Sequence, residues 1–449
     1  MSTMAVQEQT LFGTSLEAGR PLQAQGKPWY IFQDAHDPRT YMAIDEACAS
    51  RHILLLGGTG SGKTNVINWI FTQARRIPAC GDTTYIVFDT KGDYVSHRSF
   101  YYPAKGDLLV GNSRHFRRRS AVWNVFAEVL ADGRGEQDID ANAHEIAKTL
   151  FDGRGSQMEP FFANAAADVF AGILIYYVRR YLEDSKWIDR LNNDDLTRTI
   201  LGSEPAVLVQ ILETYPDTRG LVVYFGNMST NQGMGVISEL RSMVRDCFHG
   251  VFAAESRLDS TGLSVRGLVR AKGGRALFVE YDLAMGMTLQ PIYRLLLDLA
   301  LKEALGSDAR GHTVILLDEL RLLPELRHLE DALNFGRSKG VSVVAGLQSV
   351  EQLDVTYGQQ EARTILGAFG SLIAMRSQDP RTLDYVSERF GRNVKAYRYD
   401  DWNGQAQDRE RDGYVVEPWR MRSLGVGEAV VGLVTQDAPF VFHFQREGS

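Results

Sequence analysis

The stretch Arg51-His52-Ile53-Leu54-Leu55-Leu56-Gly57-Gly58-Thr59-Gly60-Ser61-Gly62-Lys63-Thr64 joins an apolar run of strand length to a glycine-rich turn. Val66, Ile67, Trp69, Ile70 and Phe71 follow, an apolar set at helical spacing. A buried strand, such a turn and a helix, in that order, are the context in which G-x-x-x-x-G-K-[ST] forms a phosphate-binding loop. Its glycines let backbone N–H groups turn inward around phosphate oxygens, and the helix N-terminus adds a favourable dipole. Lys63 is then placed to reach the β- and γ-phosphates and the Thr64 hydroxyl to bind Mg²⁺. The expected cofactors are ATP and Mg²⁺, and the expected contact set is Gly57, Gly58, Thr59, Gly60, Ser61, Gly62, Lys63 and Thr64.

Hydrolysis needs a carboxylate at the tip of a neighbouring strand. Thr313-Val314-Ile315-Leu316-Leu317-Asp318-Glu319 supplies an apolar run ending in two acids. Asp318 is expected to hold Mg²⁺ and Glu319 to orient and deprotonate the attacking water. Gln348 ends the next apolar run, Val343-Val344-Ala345-Gly346-Leu347. Its amide is expected to report on the γ-phosphate or the water, with a capping or loop glutamine as the alternative. From Lys63 to Asp318 is 318 − 63 = 255 residues, long for a minimal nucleotide-binding core, which points to an insertion.

Outward from these motifs, residues 84–89 form a second strand, ending in Thr90-Lys91-Gly92-Asp93. Strands alternating with helices imply a parallel sheet covered on both faces. The alternation stops over residues 139–270, where the periodicity is helical; only 221–225 looks strand-like and stays open. Strands return at 275–283, 312–318, 341–348 and 371–376, and a terminal hairpin is expected from 429–435 and 440–444. A short strand pair fits 27–41, and residues 1–26 have the composition of a weakly ordered leader. The expected fold is α/β, a nucleotide-binding domain over 27–138 and 271–449 with an inserted all-α domain over 139–270.

The chain of 449 residues carries a net charge of −7, which argues against a protein that coats nucleic acid with a basic surface. A narrow basic channel stays open, because affinity for DNA depends on local contacts with phosphates. Arg114, Arg117, Arg118 and Arg119 cluster after the second strand; they read as a solvated loop, as inter-subunit ion pairs, or as a phosphate-tracking patch. Arg179 and Arg180 are open in the same way, while Tyr176, Tyr177 and Tyr181 read as helical core. Cys48, Cys80 and Cys247 lack metal-ligand spacing and read as reduced thiols, and the scattered histidines suggest no structural zinc. Residues 1–20 show no signal-peptide core, and no run reaches the ~18 consecutive apolar residues of a membrane span. A cytoplasmic protein without a span of its own is expected.

The run DELRLLPELRHLEDALNFGRSKGVSVVAGLQSVEQLDVTYGQQEARTILGAFGSLIAMR, residues 318–376, closely resembles the type IV secretion coupling proteins of the TraD/TrwB kind, the ATPases of bacterial conjugation. RHILLLGGTGSGKT, IVFDTKGDY, the Trp123 segment and YVSERFGR extend that resemblance over most of 45–445, weakly in the helical insertion. The wider relatives are the FtsK/HerA ring translocases. The resemblance implies a RecA-like domain, an all-α domain facing the cytoplasm, and a homo-oligomer, a hexamer with DNA in its channel. It sets Lys63, Thr64, Asp318, Glu319 and Gln348 on the family's nucleotide motifs. It also sets Arg51 at the arginine near the nucleotide base, and Arg337 at a proposed arginine finger. Taken alone, Arg337 is an ordinary surface charge.

Such proteins usually begin with a membrane anchor, and this sequence shows none. Three expectations follow: a soluble relative docked on a separate membrane-anchored partner, peripheral to the inner membrane; a soluble HerA-like motor in DNA processing or anti-phage defence; or a truncated chain. The leading functional expectation is an ATP-driven DNA translocase that brings a relaxase-like substrate to a secretion channel. A docking platform that binds ATP without turning it over is the non-enzymatic alternative.

Overall fold

The structure is a computed structural model. It describes residues 7–18, 26–77, 81–96, 106–154, 160–225, 231–306, 311–400 and 406–446. The chain divides into two compact units. The first comprises residues 1–80, 314–321 and 329–449, the second 81–313 and 322–328. The helical stretch 139–270 therefore shares its unit with strands on either side of it in sequence.

In the first unit the strands run Glu17–Ala18, Phe440–His443, Glu428–Gly432, Ser371–Met375, Ile53–Leu56, Val341–Leu347 and His312–Leu317, the last from Val314 onward. Ile53–Leu56 lies between Val341–Leu347 and Ser371–Met375, parallel to both. All of its side chains are buried. That explains an apolar run with no alternation, since both faces of the strand are covered. Ser371–Met375 then pairs antiparallel with Glu428–Gly432, which pairs antiparallel with Phe440–His443. The expected terminal hairpin is thus the far side of a mixed sheet. The helix Lys63–Ala74 turns Val66, Ile67, Ile70, Phe71 and Ala74 into the core at the spacing of one helix face.

Part of the stretch 1–26, expected as a weakly ordered leader, is ordered. Gln7–Phe12 pairs antiparallel with Arg392–Asp400, and Glu17–Ala18 pairs parallel with Phe440–His443. Its partners lie hundreds of residues away, so no local pattern announced them. Residues 1–6 and 19–25 lie outside the described residues. The pair expected over 27–41 forms from Pro28–Gln33 and Tyr41–Asp45.

In the second unit Thr83–Asp89, Ala276–Glu280 and Leu108–Val110 form parallel neighbours. Between the last two in sequence, the regular elements among the described residues are helices apart from the two-residue strands Val122–Trp123 and Gly262–Leu263. The strand-like 221–225 is a 3-10 helix, Arg219–Phe225. Its β-branched and aromatic residues favoured a strand, but packing against Pro205–Glu213 and Asn231–Cys247 overrode them. Trp123 is fully buried and donates from Nε1 to Glu128 Oε1 at 3.0 Å. Glu128 also accepts from Val265 N and Ser264 Oγ, although burial pushes its carboxyl up.

The central helix of this unit, Phe161–Glu183, packs against Glu136–Phe151 and Asn231–Cys247. Among the described residues it is the one helix long and apolar enough to cross a membrane. Yet 72% of that apolar window is buried inside the protein, as in a core helix. Tyr177 stacks on Phe126 at 5.3 Å within this core. Arg179 pairs with Asp217 and Asp140, and Arg180 with Glu183, so both are engaged within the unit.

Candidate nucleotide-binding site

The strand Ile53–Leu56 delivers the chain into the loop, and the loop's shape follows from its glycines. Gly62, at φ 115°, caps the helix Lys63–Ala74 from a backbone region that side chains rarely adopt. At Gly57 the constraint is space. A Cβ there would stand 2.8 Å from Met375 Cβ and 3.0 Å from Ser61 Oγ. Lys63, 7% exposed, folds its ammonium back into the loop and donates to Gly57 O at 2.5 Å and Gly58 O at 3.3 Å. Ser61 Oγ is buried with no hydrogen-bond partner among the described residues.

The acids arrive on the strand His312–Leu317. Thr64 Oγ1 donates to Asp318 Oδ1 at 3.1 Å, so the hydroxyl and carboxylate expected to share a cation stand side by side. Glu319 is 8% exposed. Its Oε2 accepts from Gln348 Nε2 at 2.6 Å, and Thr59 Oγ1 donates to Gln348 Oε1 at 3.1 Å. A continuous link therefore runs from the loop through Gln348 to Glu319. The other oxygen, Oε1, is buried without a hydrogen bond and lies 3.9 Å from Arg321 Nε. Burial pushes the Glu319 carboxyl up. Gln348, Lys63 and Arg321 pull it back down.

Arg51 and Arg337 do not join this group. Arg51 precedes Ile53–Leu56, at the end of the strand opposite the loop. Its carbonyl accepts from Gly370 N at 2.7 Å. A strand of 4 residues puts about 13 Å between its ends. Arg337 lies in the 3-10 turn Gly336–Lys339, before Val341–Leu347, at the same end as Arg51. The 7 residues of that strand separate its start from Gln348 by about 23 Å. Arg337 is exposed and beyond reach of the loop of its own chain.

Three positions that the sequence did not single out complete the site. Gly58 N donates to Arg376 O at 2.9 Å, at the tip of Ser371–Met375. Gly427 N donates to Ser61 O at 3.0 Å, and the Gly427 backbone stands 3.5 Å from where a Gly62 Cβ would be. Asn65 Nδ2 donates to Gln445 O at 2.8 Å. The loop is thus held from its outer side by the C-terminal segment. The glycine pair in Leu424-Gly425-Val426-Gly427 was the available signal.

The sequence profile of the type IV secretion-system coupling protein DNA-binding domain matches residues 41–420. The chain belongs to the coupling-protein family. It is 25% identical over 373 residues to the coupling protein TraD of Escherichia coli (strain K12), covering 81% of this chain and 47% of TraD. It is 23% identical over 364 residues to the type IV secretion system-coupling protein VirD4 of Bartonella henselae, covering 76% of this chain and 53% of VirD4. The chain spans about half the length of these curated relatives. Its fold is that of the bacterial conjugative coupling protein TrwBdeltaN70, with a TM-score of 0.73 at 21% identity, over 100% of this chain and 95% of that one. TrwB in complex with ADP and Mg²⁺ aligns with a TM-score of 0.70 at 20% identity, covering 100% of this chain and 96% of that one. This is the RecA-like α/β fold expected from the sequence.

In this coupling-protein chain the cluster Arg114, Arg117, Arg118 and Arg119 is exposed in the second unit, with Arg119 over the Phe116 ring at 5.6 Å. Cys48 and Cys247 are buried free thiols; Cys80 lies outside the described residues.

Proposed function

We propose that this chain is an ATP-hydrolysing motor that moves DNA, acting as a coupling protein of type IV secretion. The observation that carries this is the linked group Thr64–Asp318 and Thr59–Gln348–Glu319, assembled around one P-loop. Gly57 to Thr64 hold the nucleotide phosphates, and Lys63 neutralises their charge. Thr64 and Asp318 hold Mg²⁺, and their side-by-side oxygens suit that hard cation. When bound, the ion polarises the phosphate oxygens. Glu319 takes the proton of the attacking water, and its raised affinity for protons suits it to that task. Gln348 fixes Glu319 and reads the loop through Thr59. A chain that only binds ATP as a platform has no use for a buried acid held in this way.

The nucleotide-bound TrwB structures support the cofactor assignment, since the same fold there holds ADP with Mg²⁺. The ring is a homo-hexamer with DNA in its channel, and Arg337 serves the P-loop of the neighbouring subunit. Arg51 stands with it at the strand end opposite the loop, away from the phosphates. The largely helical region over 139–270 faces the cytoplasm. The recruited cargo is a relaxase-like protein, and a separate membrane-anchored partner holds the ring at the inner membrane.

The test is ATP hydrolysis and DNA binding by the purified chain. The proposal expects salt-sensitive, sequence-tolerant DNA binding that ATP strengthens. DNA affinity indifferent to both salt and nucleotide would contradict it.

A further inference from the structure

The chain is acidic overall, with a net charge of −7, yet residues 90–121 carry seven lysines and arginines against two acids, Asp93 and Asp107. The charge peaks at Arg114, Arg117, Arg118 and Arg119, all exposed. Local structure holds them outward. Phe116, 7% exposed, is wedged between two glycines: a Cβ at Gly92 would stand 2.6 Å from its ring, and one at Gly111 2.9 Å from its Cβ. Ser113 N donates to Glu280 Oε2 at 3.3 Å, and Arg117 N donates to Ser113 O at 2.9 Å. The second bond spans four residues, one helical turn. On such a turn residues three and four apart are neighbours, so Arg114 shares a side with Arg117 and Arg118, while Phe116 faces away from them. Arg119 packs over the Phe116 ring.

This turn follows the strand Leu108–Val110. Its anchors Gly92 and Glu280 lie at the ends of the parallel neighbours Thr83–Asp89 and Ala276–Glu280. The arginines therefore stand over the carboxyl ends of three parallel strands, where open α/β sheets bind their ligands. Like charges at this spacing repel one another. Among the described residues nothing offsets them, since the side chains of Arg114, Arg117 and Arg118 have no hydrogen bond or ion pair. Arg179, Arg266 and Arg294 of the same unit, by contrast, each pair with an acid. An anchored set of unneutralised guanidinium forks suits an anion supplied from outside the unit.

We propose that Arg114, Arg117 and Arg118 form a contact that tracks the phosphate backbone of DNA without reading its sequence. The inference rests on the chain being a DNA motor and adds the surface that grips the DNA. Duplex DNA carries a negative charge every ~1.7 Å along its axis, so one stretch of backbone meets all three arginines. The turn over 113–119 exposes no Phe, Tyr or Trp, so it offers neither an apolar wedge for a bilayer nor a stacking platform for bases. The amide beside it is occupied, Asn112 being buried with its Nδ2 donating to Asp282 Oδ2 at 3.3 Å, so no fork is left for a base edge.

The experiment uses the full chain and fluorescein-labelled duplexes of two unrelated sequences, with anisotropy read over a salt series. The triple variant Arg114→Ala, Arg117→Ala, Arg118→Ala should bind both duplexes at least tenfold more weakly. Its slope of log affinity against log salt should shrink by about 2–3, and that of Arg117→Ala alone by about 1. The matching triple lysine variant keeps the charge, and should keep the slope and lie within severalfold of the parent. Affinity for a fluorescent ATP analogue should not change in any variant, and the melting temperature should hold or rise, which separates a lost contact from a lost fold. Unchanged duplex affinity in the triple alanine variant, or a loss confined to one sequence, would overturn the inference. A fall in its oligomer mass without DNA would assign the arginines to a contact between copies of the chain and overturn it too. So would binding to phosphatidylserine vesicles that matches duplex binding and disappears in the alanine variant. An unsubstituted chain that binds neither duplex would instead remove the motor reading itself.

Discussion

His52 shows how much one residue carries here. It sits at φ 64°, 1% exposed, and its Nδ1 accepts from Val343 N at 3.1 Å. Burial lowers its pKa to about 4. The unfolded chain therefore takes up a proton near pH 6.5 that the folded chain refuses until about pH 4. Stability is lost as pH falls through that window, by about 3 kcal/mol in all. His52→Asn keeps an acceptor and tolerates the backbone, so its melting temperature should fall less than the parent's between pH 7 and pH 5. Equal falls would show that His52 does not set the acid limit. At the site, Lys63→Ala should weaken ATP binding at least tenfold, measured with a fluorescent analogue. Glu319→Gln should bind ATP normally and hydrolyse it ~10²–10⁴-fold more slowly. In its proposed role as base Glu319 acts ionised, and burial raises its pKa, so the acid limb of the rate profile should lie above the ordinary carboxylate value. Gln348 lowers that pKa, so Gln348→Ala should move the limb to higher pH. A limb that stays in place would separate Gln348 from Glu319. Lys63, Thr64, Asp318 and Glu319 were legible because each follows directly from a strand and a loop adjacent in sequence. His52 was not, since its cost appears only when Val343 closes over it.

Among the elements, the P-loop depends on a segment more than 300 residues away in sequence. Gly427 and Gln445 hold it through Ser61 and Asn65. Asn65→Ala removes one of those ties without touching a phosphate contact. It should weaken nucleotide binding severalfold and leave the proposed DNA affinity unchanged, a split that parallel titrations with nucleotide and DNA would reveal. Gly62→Ala strikes the loop directly and should abolish binding, because the helix cap sits at φ 115°. The strands of the first unit were readable from apolar runs that end in functional residues, as at Leu56 and Leu317. What escaped was set by distant pairing. Gln7–Phe12 takes its strand form from Arg392–Asp400, and Arg219–Phe225 gives up a strand-like composition to helical packing. Neither outcome is written in its own local residues.

For the whole molecule, the position of Arg337 turns a single-chain observation into a claim about assembly. It is exposed at the end of the strands opposite its own loop, so any role at a P-loop is a role at another subunit's. Arg337→Ala should bind ATP nearly normally and lose ~10³ or more in rate. Mixed rings of Lys63→Ala and Arg337→Ala subunits should regain part of it, where intact loops meet intact fingers. No recovery in rings shown by mass to contain both would reject the trans role. The measurement that reaches the central claim most directly is steady-state ATP hydrolysis with and without DNA, on the full chain and on Glu319→Gln. The account predicts that DNA raises the rate of the unsubstituted chain several-fold, and that Glu319→Gln binds ATP and DNA but turns over in neither condition. A rate that DNA leaves unchanged, or a Glu319→Gln chain that hydrolyses like the parent, would contradict it.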